Sequence, residues 1–358
     1  MHNRQNGERT WHIPWADLLA KLGNPLLAII IAFLMGGLMV LISGDNPLET
    51  YAALLNGAFG NWTAIQNTIR YTIPIVLLAY SFSICSRCGY FNISHESQMY
   101  SAALAMVAVS ELAHGLPSWA RLALMMVAAC AAAALACIIP ALAKFKLGVS
   151  EVVVGVMLNY LMAYLTKHMI AFSFIAQPGS SSIMSFPIAE SIHAGTITLC
   201  AAIIVVIYQF MLKKTIPGYR LSIVGKNQRF ATASGLPSMR VLLSSAMVGG
   251  VLTGICAIGE MLGYYHIIYS DFAAGIGYNG MTAALLGGHN AIGMLAGASL
   301  LGALKSGSVM LTVITDVPSE LVDCVQGFVM FFATISLIHP SGRKYKAATK
   351  KAAAIEGK

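Results

Sequence analysis

The chain has 358 residues, 57% of them hydrophobic and 10% charged, with a mean hydropathy of +0.73. Soluble domains carry about 25% charged residues, so the composition excludes a soluble enzyme of ordinary make-up and reads as an all-α, polytopic membrane helix bundle. The formal net charge of +8 is accounted for by membrane topology and anionic lipid, without nucleic acid.

In chain order, residues 1–23 read as a polar, basic cytoplasmic tail and residues 24–338 as the transmembrane domain. A second basic tail follows at 339–358. A span of the ~30 Å hydrocarbon core takes about 20 apolar residues. About ten such segments are expected, at 25–42, 69–85, 99–112, 122–142, 152–172, 195–212, 241–262, 272–286, 291–304 and 321–338, some short or broken. Ten spans put both termini on one side. That side then carries 18 of the 22 Lys and Arg, including Arg87, Lys144, Lys146, Lys214, Arg220, Lys226, Arg229 and Arg240. The opposite side carries acidic residues such as Asp45, Glu49, Glu111 and Asp323. This is the positive-inside pattern, with the termini cytoplasmic.

Between the second and third spans lies "RCGYFNISHESQ", residues 87–98. An unpaired carboxylate at a helix centre costs about 2.5–3.5 kcal/mol on insertion scales. Glu96 is therefore expected to face a cavity, pair with Arg87 or His95, or sit at the interface. Asn92 and Gln98 suit either a broken backbone that needs hydrogen bonds or a solute. Asn159 and Tyr160 follow on the fifth span, where helix packing is one reading and a pathway lining the other. The loop 213–240 is rich in Lys and Arg. Within it, Gly225 and Asn227 are expected to cap or turn, and Gln228 to Ser234 to form a short helix stopped by Gly235 and Pro237. Glu260, Tyr264, Tyr265, Asp271, Tyr278 and Asn279 stand where the outer mouth of a pathway would be, although interfacial tyrosines need no such role. The segment "YSDFAAGIGYNG" repeats the mixture of Gly, Tyr and Asn seen at 87–98, just before an alanine-rich span. Paired interruptions of this kind point to a substrate pathway.

Other chemistry is absent from the pattern. Cys85 and Cys88 form one C-x-x-C without a second pair, and His266 and His289 have no ligand at i+4, so no metal is expected. Neither a nucleotide-binding G-x-x-x-x-G-K-[ST] nor a hydrolase motif occurs. The chain is not expected to be an enzyme, and any ATP would be hydrolysed by another polypeptide.

Four stretches together resemble the permease subunits of bacterial ATP-binding cassette importers for simple sugars, nucleosides and branched-chain amino acids. They are "GYFNISHESQ", "GVSEVVVGVMLNYLMAYL", "KKTIPGYRLSIVGKNQRFATASGLP" and "GIGYNGMTAALLGGHNAIG". "NPLETYAALLNGAFGNW" further resembles the longer permease of nucleoside-type systems. Ser94, His95, Ser97 and Phe230 depart from the family pattern. The resemblance implies a permease in a bacterial cytoplasmic membrane, passing a small polar solute, nucleoside first and simple sugar next. Its implied partners are an extracytoplasmic solute-binding protein, a second permease chain and an ATPase subunit that uses ATP and Mg, with no cofactor held by this chain. Coupling to the ATPase falls on Gly225, Asn227, Gln228, Arg229, Ala231 and Gly235. The pathway falls on Asn92, His95, Glu96, Gln98, Asn159, Tyr160, Glu260 and Asn279. The rival reading is an ion-coupled secondary transporter, in which Glu96, Glu260 or Asp271 would titrate.

Overall fold

A computed structural model describes residues 15–177, 183–189, 192, 194–314, 322–325, 327–328 and 331. The N-terminal end of the first tail, most of the expected last span and the C-terminal tail lie outside these residues. Among the described residues the chain is helical, with only isolated β-bridges at Ala176 and Ser185 and at Met184 and Tyr269.

The helices are α1 (Trp15–Ile42), α2 (Pro47–Phe59), α3 (Trp62–Arg87), α4 (His95–Leu112), α5 (Ser118–Leu147), α6 (Glu151–Phe172), α7 (Ala194–Lys214), α8 (Ile216–Lys226), α9 (Gln228–Ala233), α10 (Ser238–Glu260), α11 (Ile276–Leu286) and α12 (Ala291–Ile314). A π-helical turn, Met261–Tyr265, extends α10. Among the described residues, five helices are long and apolar enough to cross a membrane, or six if the pair 29–42 and Pro47–Phe59, bent by 119°, forms one span. The expected ten segments therefore include elements short of a full crossing, notably α11 with 11 residues.

Helix α2 is an addition to the expected elements. Asn46 caps it by accepting from the Leu48 N–H at 3.1 Å, and Pro47 supplies the preset backbone of a first helical position. Helix α3 also begins earlier than expected, because Asn61 accepts from the Ala64 N–H at 2.7 Å. The polar residues Gln66, Asn67 and Arg70 of its first turns mask that start in a hydropathy reading.

Helix α3 is the centre of the bundle, 78% buried in its apolar window against 22% for α6. It packs against α10, α11 and α12, and α10 in turn packs along α5. Lipid offers no hydrophobic drive between helices, so close backbone approach must supply dispersion contacts. At Gly254 an added Cβ would stand 2.9 Å from the Cα of Cys130, so this approach of α10 to α5 requires glycine. The apolar core falls in two clusters. One gathers Tyr80, Phe82, Cys85, Leu221, Val224 and Ala231 around the Arg87 end of α3. The other gathers Met99, Tyr100, Met106, Met125, Met261 and Phe272 towards the opposite end.

Candidate functional site

Helix α3 stops at Arg87 because Gly89, at φ +80°, turns the chain out of helical register. Residues 88–94 then run without helix before α4 starts at His95. Such a break is tolerated at membrane depth only if protein satisfies its polar groups, and side chains named above as pathway candidates hydrogen-bond to it. Buried Asn92 accepts from the Ser94 N–H at 3.2 Å, the Ser94 hydroxyl at 2.9 Å and the Gln98 amide at 3.0 Å. Asn159 of α6 reaches across, donating to the Ile93 carbonyl at 3.0 Å and accepting from the Ser97 N–H at 3.0 Å. His95 meets the Ser81 hydroxyl at 3.2 Å, and Ser81 also donates to the Gly249 carbonyl at 2.7 Å. Ser94, His95, Ser97 and Gln98 are at most 1% exposed and hydrogen-bond to the break, to Asn92 and to one another, while the His95 Nδ1 and the Gln98 Oε1 stay buried without a partner.

Charged groups pin the same segment from outside. Lys144 donates to the Gly89 carbonyl at 2.5 Å and pairs with Glu151 at 2.6 Å, and Glu151 also accepts from the Phe91 N–H. Arg87 donates to the His289 carbonyl at 2.6 Å rather than to Glu96. Burial and the Arg87 guanidinium push the His289 imidazole down to about 4, so it meets the Ser83 hydroxyl as a neutral ring.

Glu96 has a partner that its sequence neighbourhood does not reveal. Its carboxylate accepts from the Gly275 N–H at 2.9 Å, and Gly275, at φ +79°, is the N-cap of α11. A carboxylate at a helix N-terminus is favoured by the exposed N–H groups and the helix dipole. The two interrupted segments, 88–94 and 266–275, thus meet where α4 and α11 begin, with Gly277 close against His95.

Above this junction lies a cavity of about 450 Å³. Its wall includes the aromatic residues Tyr71, Tyr265, Tyr269, Phe272 and Tyr278 and the charged residues Glu260, Asp271, Lys305 and Asp323. Glu260 and Asn279 line it, whereas Asn92, His95, Gln98 and Asn159 do not, and Glu96 reaches it only through Gly275. Tyr160 is 65% exposed on the outer face of α6. Sequence reasoning missed Lys305 as a lining residue, although a lysine inside an apolar helix is itself a functional signal. Lys305 pairs with Asp323 at 3.4 Å, and Lys167 with Asp271 at 2.9 Å.

On the Arg87 side, α9 is capped as expected. The Asn227 side chain accepts from the Phe230 N–H at 3.0 Å, and Gly235, at φ +80°, ends the turn. Ala231 is buried beneath, while Phe230 is 62% exposed. Gly225 is not a turn. It lies inside α8, where its backbone presses on the carbonyl of Arg87, a contact with no room for a side chain.

A membrane bundle with broken helices around a polar cavity, and a capped helix on its basic end, has the form of a multi-pass transport permease. Residues 64–334 match the family described as branched-chain amino acid transport system / permease component, and the chain belongs to that family. It is 32% identical over 331 residues to the guanosine ABC transporter permease protein NupP of Bacillus subtilis, covering 89% of this chain and 94% of that protein. It is 29% identical to the nucleoside ABC transporter permease protein NupB of Lactococcus lactis, over 91% of this chain and 96% of that protein. A glucose ABC transporter permease protein of Haloferax volcanii, TsgB13, is 26% identical over 88% of this chain and 87% of its own length.

Proposed function

We propose that the chain is the translocation subunit of an ATP-binding cassette importer for nucleosides, with simple sugars as the second solute class. In this reading the basic end faces the cytoplasm of a bacterial cell and α9 docks on a separate ATPase subunit, which binds and hydrolyses ATP with Mg. A second permease chain completes the pathway, and an external binding protein delivers the solute to the cavity. The nucleoside assignment draws on the named relatives and on the aromatic, hydrogen-bonding cavity wall.

One observation carries the coupled mechanism. The path from α9 through α8 to the end of α3 is continuous packing, and it ends at the 88–94 break that adjoins the cavity through Glu96 and Gly275. A helix packed against a break in a neighbouring helix is an arrangement through which a partner's motion can be transmitted.

The test is reconstitution of the chain with its co-encoded permease, ATPase and binding protein in vesicles, following labelled guanosine. Uptake that requires ATP and the binding protein is the expected result. Uptake by the chain alone, driven by a proton or sodium gradient without ATP, would establish the ion-coupled alternative instead.

A further inference from the structure

Helix α10 gives way to the π turn Met261–Tyr265 immediately after Glu260. In a regular α-helix at about 100° per residue, a residue five positions on points about 140° away. A π turn bonds i to i+5 and so brings that residue back over the first. Glu260 and Tyr265 accordingly line the same cavity.

The Glu260 side chain belongs to a residue only 6% exposed, yet no hydrogen bond or ion pair ties it to another described residue. Glu260 lines the cavity, so its carboxylate stands open to a ligand that supplies donors. The Arg70 guanidinium lies over the ring of Tyr264 at 4.2 Å, with Tyr71 at 5.1 Å and Tyr265 at 5.5 Å. The Nε of Arg70 is buried and unpartnered. Beside Glu260, Tyr265, Tyr269 and Phe272 form an edge-to-face series with centroids 5.2 and 6.2 Å apart.

We propose that Glu260 is the specificity-determining residue of the cavity, accepting hydrogen bonds from two adjacent N–H or O–H donors of a solute whose ring lies against Tyr265, Tyr269 and Phe272. A carboxylate has two oxygens and accepts such a pair in bidentate fashion. Guanosine offers the pair twice, as the ribose 2′,3′-diol and as the N1–H and 2-amino edge of its base. This proposal rests on the importer reading and names the chemistry of its cavity.

The test measures uptake by the assembled importer at saturating loaded binding protein, for Glu260→Gln and Glu260→Asp beside the unaltered chain. The solutes are guanosine, 2′,3′-dideoxyguanosine, which lacks the diol, and inosine, which lacks the 2-amino group. Co-purification of the ATPase reports that each variant assembles. Glu260→Gln should lower guanosine uptake at least tenfold, with Glu260→Asp retaining more of it than Glu260→Gln. The analogue that lacks the recognised pair should already be slow with the unaltered chain and fall no further in Glu260→Gln. Loss of uptake by an equal factor for all three solutes, or no loss for any, overturns the proposal. If the unaltered importer takes up ribose and no nucleoside, the nucleoside reading fails. Glu260 is then judged by the same criterion on ribose against 2-deoxyribose.

Discussion

Gly225 of α8 lies against the carbonyl of Arg87 so closely that even a methyl group would collide with it. This contact joins the segment carrying α9 to the point where α3 breaks, 138 positions earlier in the chain. Alanine in a helix interior is ordinarily favoured over glycine by about 1 kcal/mol. Gly225→Ala should do the reverse, because overpacking costs about 1–3 kcal/mol and here the obstacle is backbone. Uptake by the reconstituted importer should fall at least tenfold while ATP hydrolysis persists. Normal uptake in Gly225→Ala would show that the contact transmits nothing.

The cap of α9 yields a graded prediction. Asn227→Ala removes the acceptor for the Phe230 N–H, a loss of about 0.5–2 kcal/mol, whereas Asn227→Ser restores a capping oxygen. Gly235→Val imposes a β-branched residue on φ +80°, which adds strain at the other end. Coupling, measured as solute imported per ATP hydrolysed, should be ordered Ser above Ala above the Gly235→Val variant, with membrane insertion unchanged in each. Equal coupling in all three would remove α9 from the transmission path.

Asn92 holds the break together from within. Asn92→Ala leaves the Ser94 N–H and hydroxyl without their acceptor and takes one of two acceptors from the Gln98 amide, and each buried orphan costs about 1–3 kcal/mol. The purified variant should lose its thermal transition several degrees below the unaltered protein in a fluorescence-detected melt. Asn159→Leu, which strips the Ile93 carbonyl and the Ser97 N–H, should behave similarly. A melting temperature unchanged in both variants would refute the structural role given to the network.

Glu96 and Gly275 allow charge and hydrogen bonding to be separated. Glu96→Gln keeps an acceptor for the Gly275 N–H and should retain more than half of the uptake. Glu96→Leu leaves the start of α11 uncapped and should lose most of it, and Gly275→Ala, forced to φ +79°, should fall between. Equivalent losses in Glu96→Gln and Glu96→Leu would instead assign the function to the charge.

Much was legible in the linear chain where the physics is local. The shortage of charge and the length of the apolar runs identify a membrane bundle, because the bilayer admits little else. Asn227 and Gly235 mark α9 correctly, since a cap is decided within a turn of its own helix. Locality also explains the failures. Gly225 reads as a turn residue from its neighbours, but its role is set by a backbone from another helix. Asn92 and Gln98 read from the sequence either as supports for a broken backbone or as solute contacts, and the hydrogen bonds they make at the break could not be foreseen because their partners are set by tertiary packing.

The sequence by itself determined that this chain crosses a membrane, breaks its helices at two Gly-rich, polar stretches and displays a capped basic loop. Tertiary structure alone decided that the two breaks meet and that Glu96 caps a helix 179 positions away. It also decided that Glu260, Tyr265 and Lys305 share one cavity. The reason is physical. Burial and hydrogen-bond partnership at membrane depth are fixed by which helices pack together, and a π turn alters which residues share a face in a way that the 3.6-residue period does not foresee.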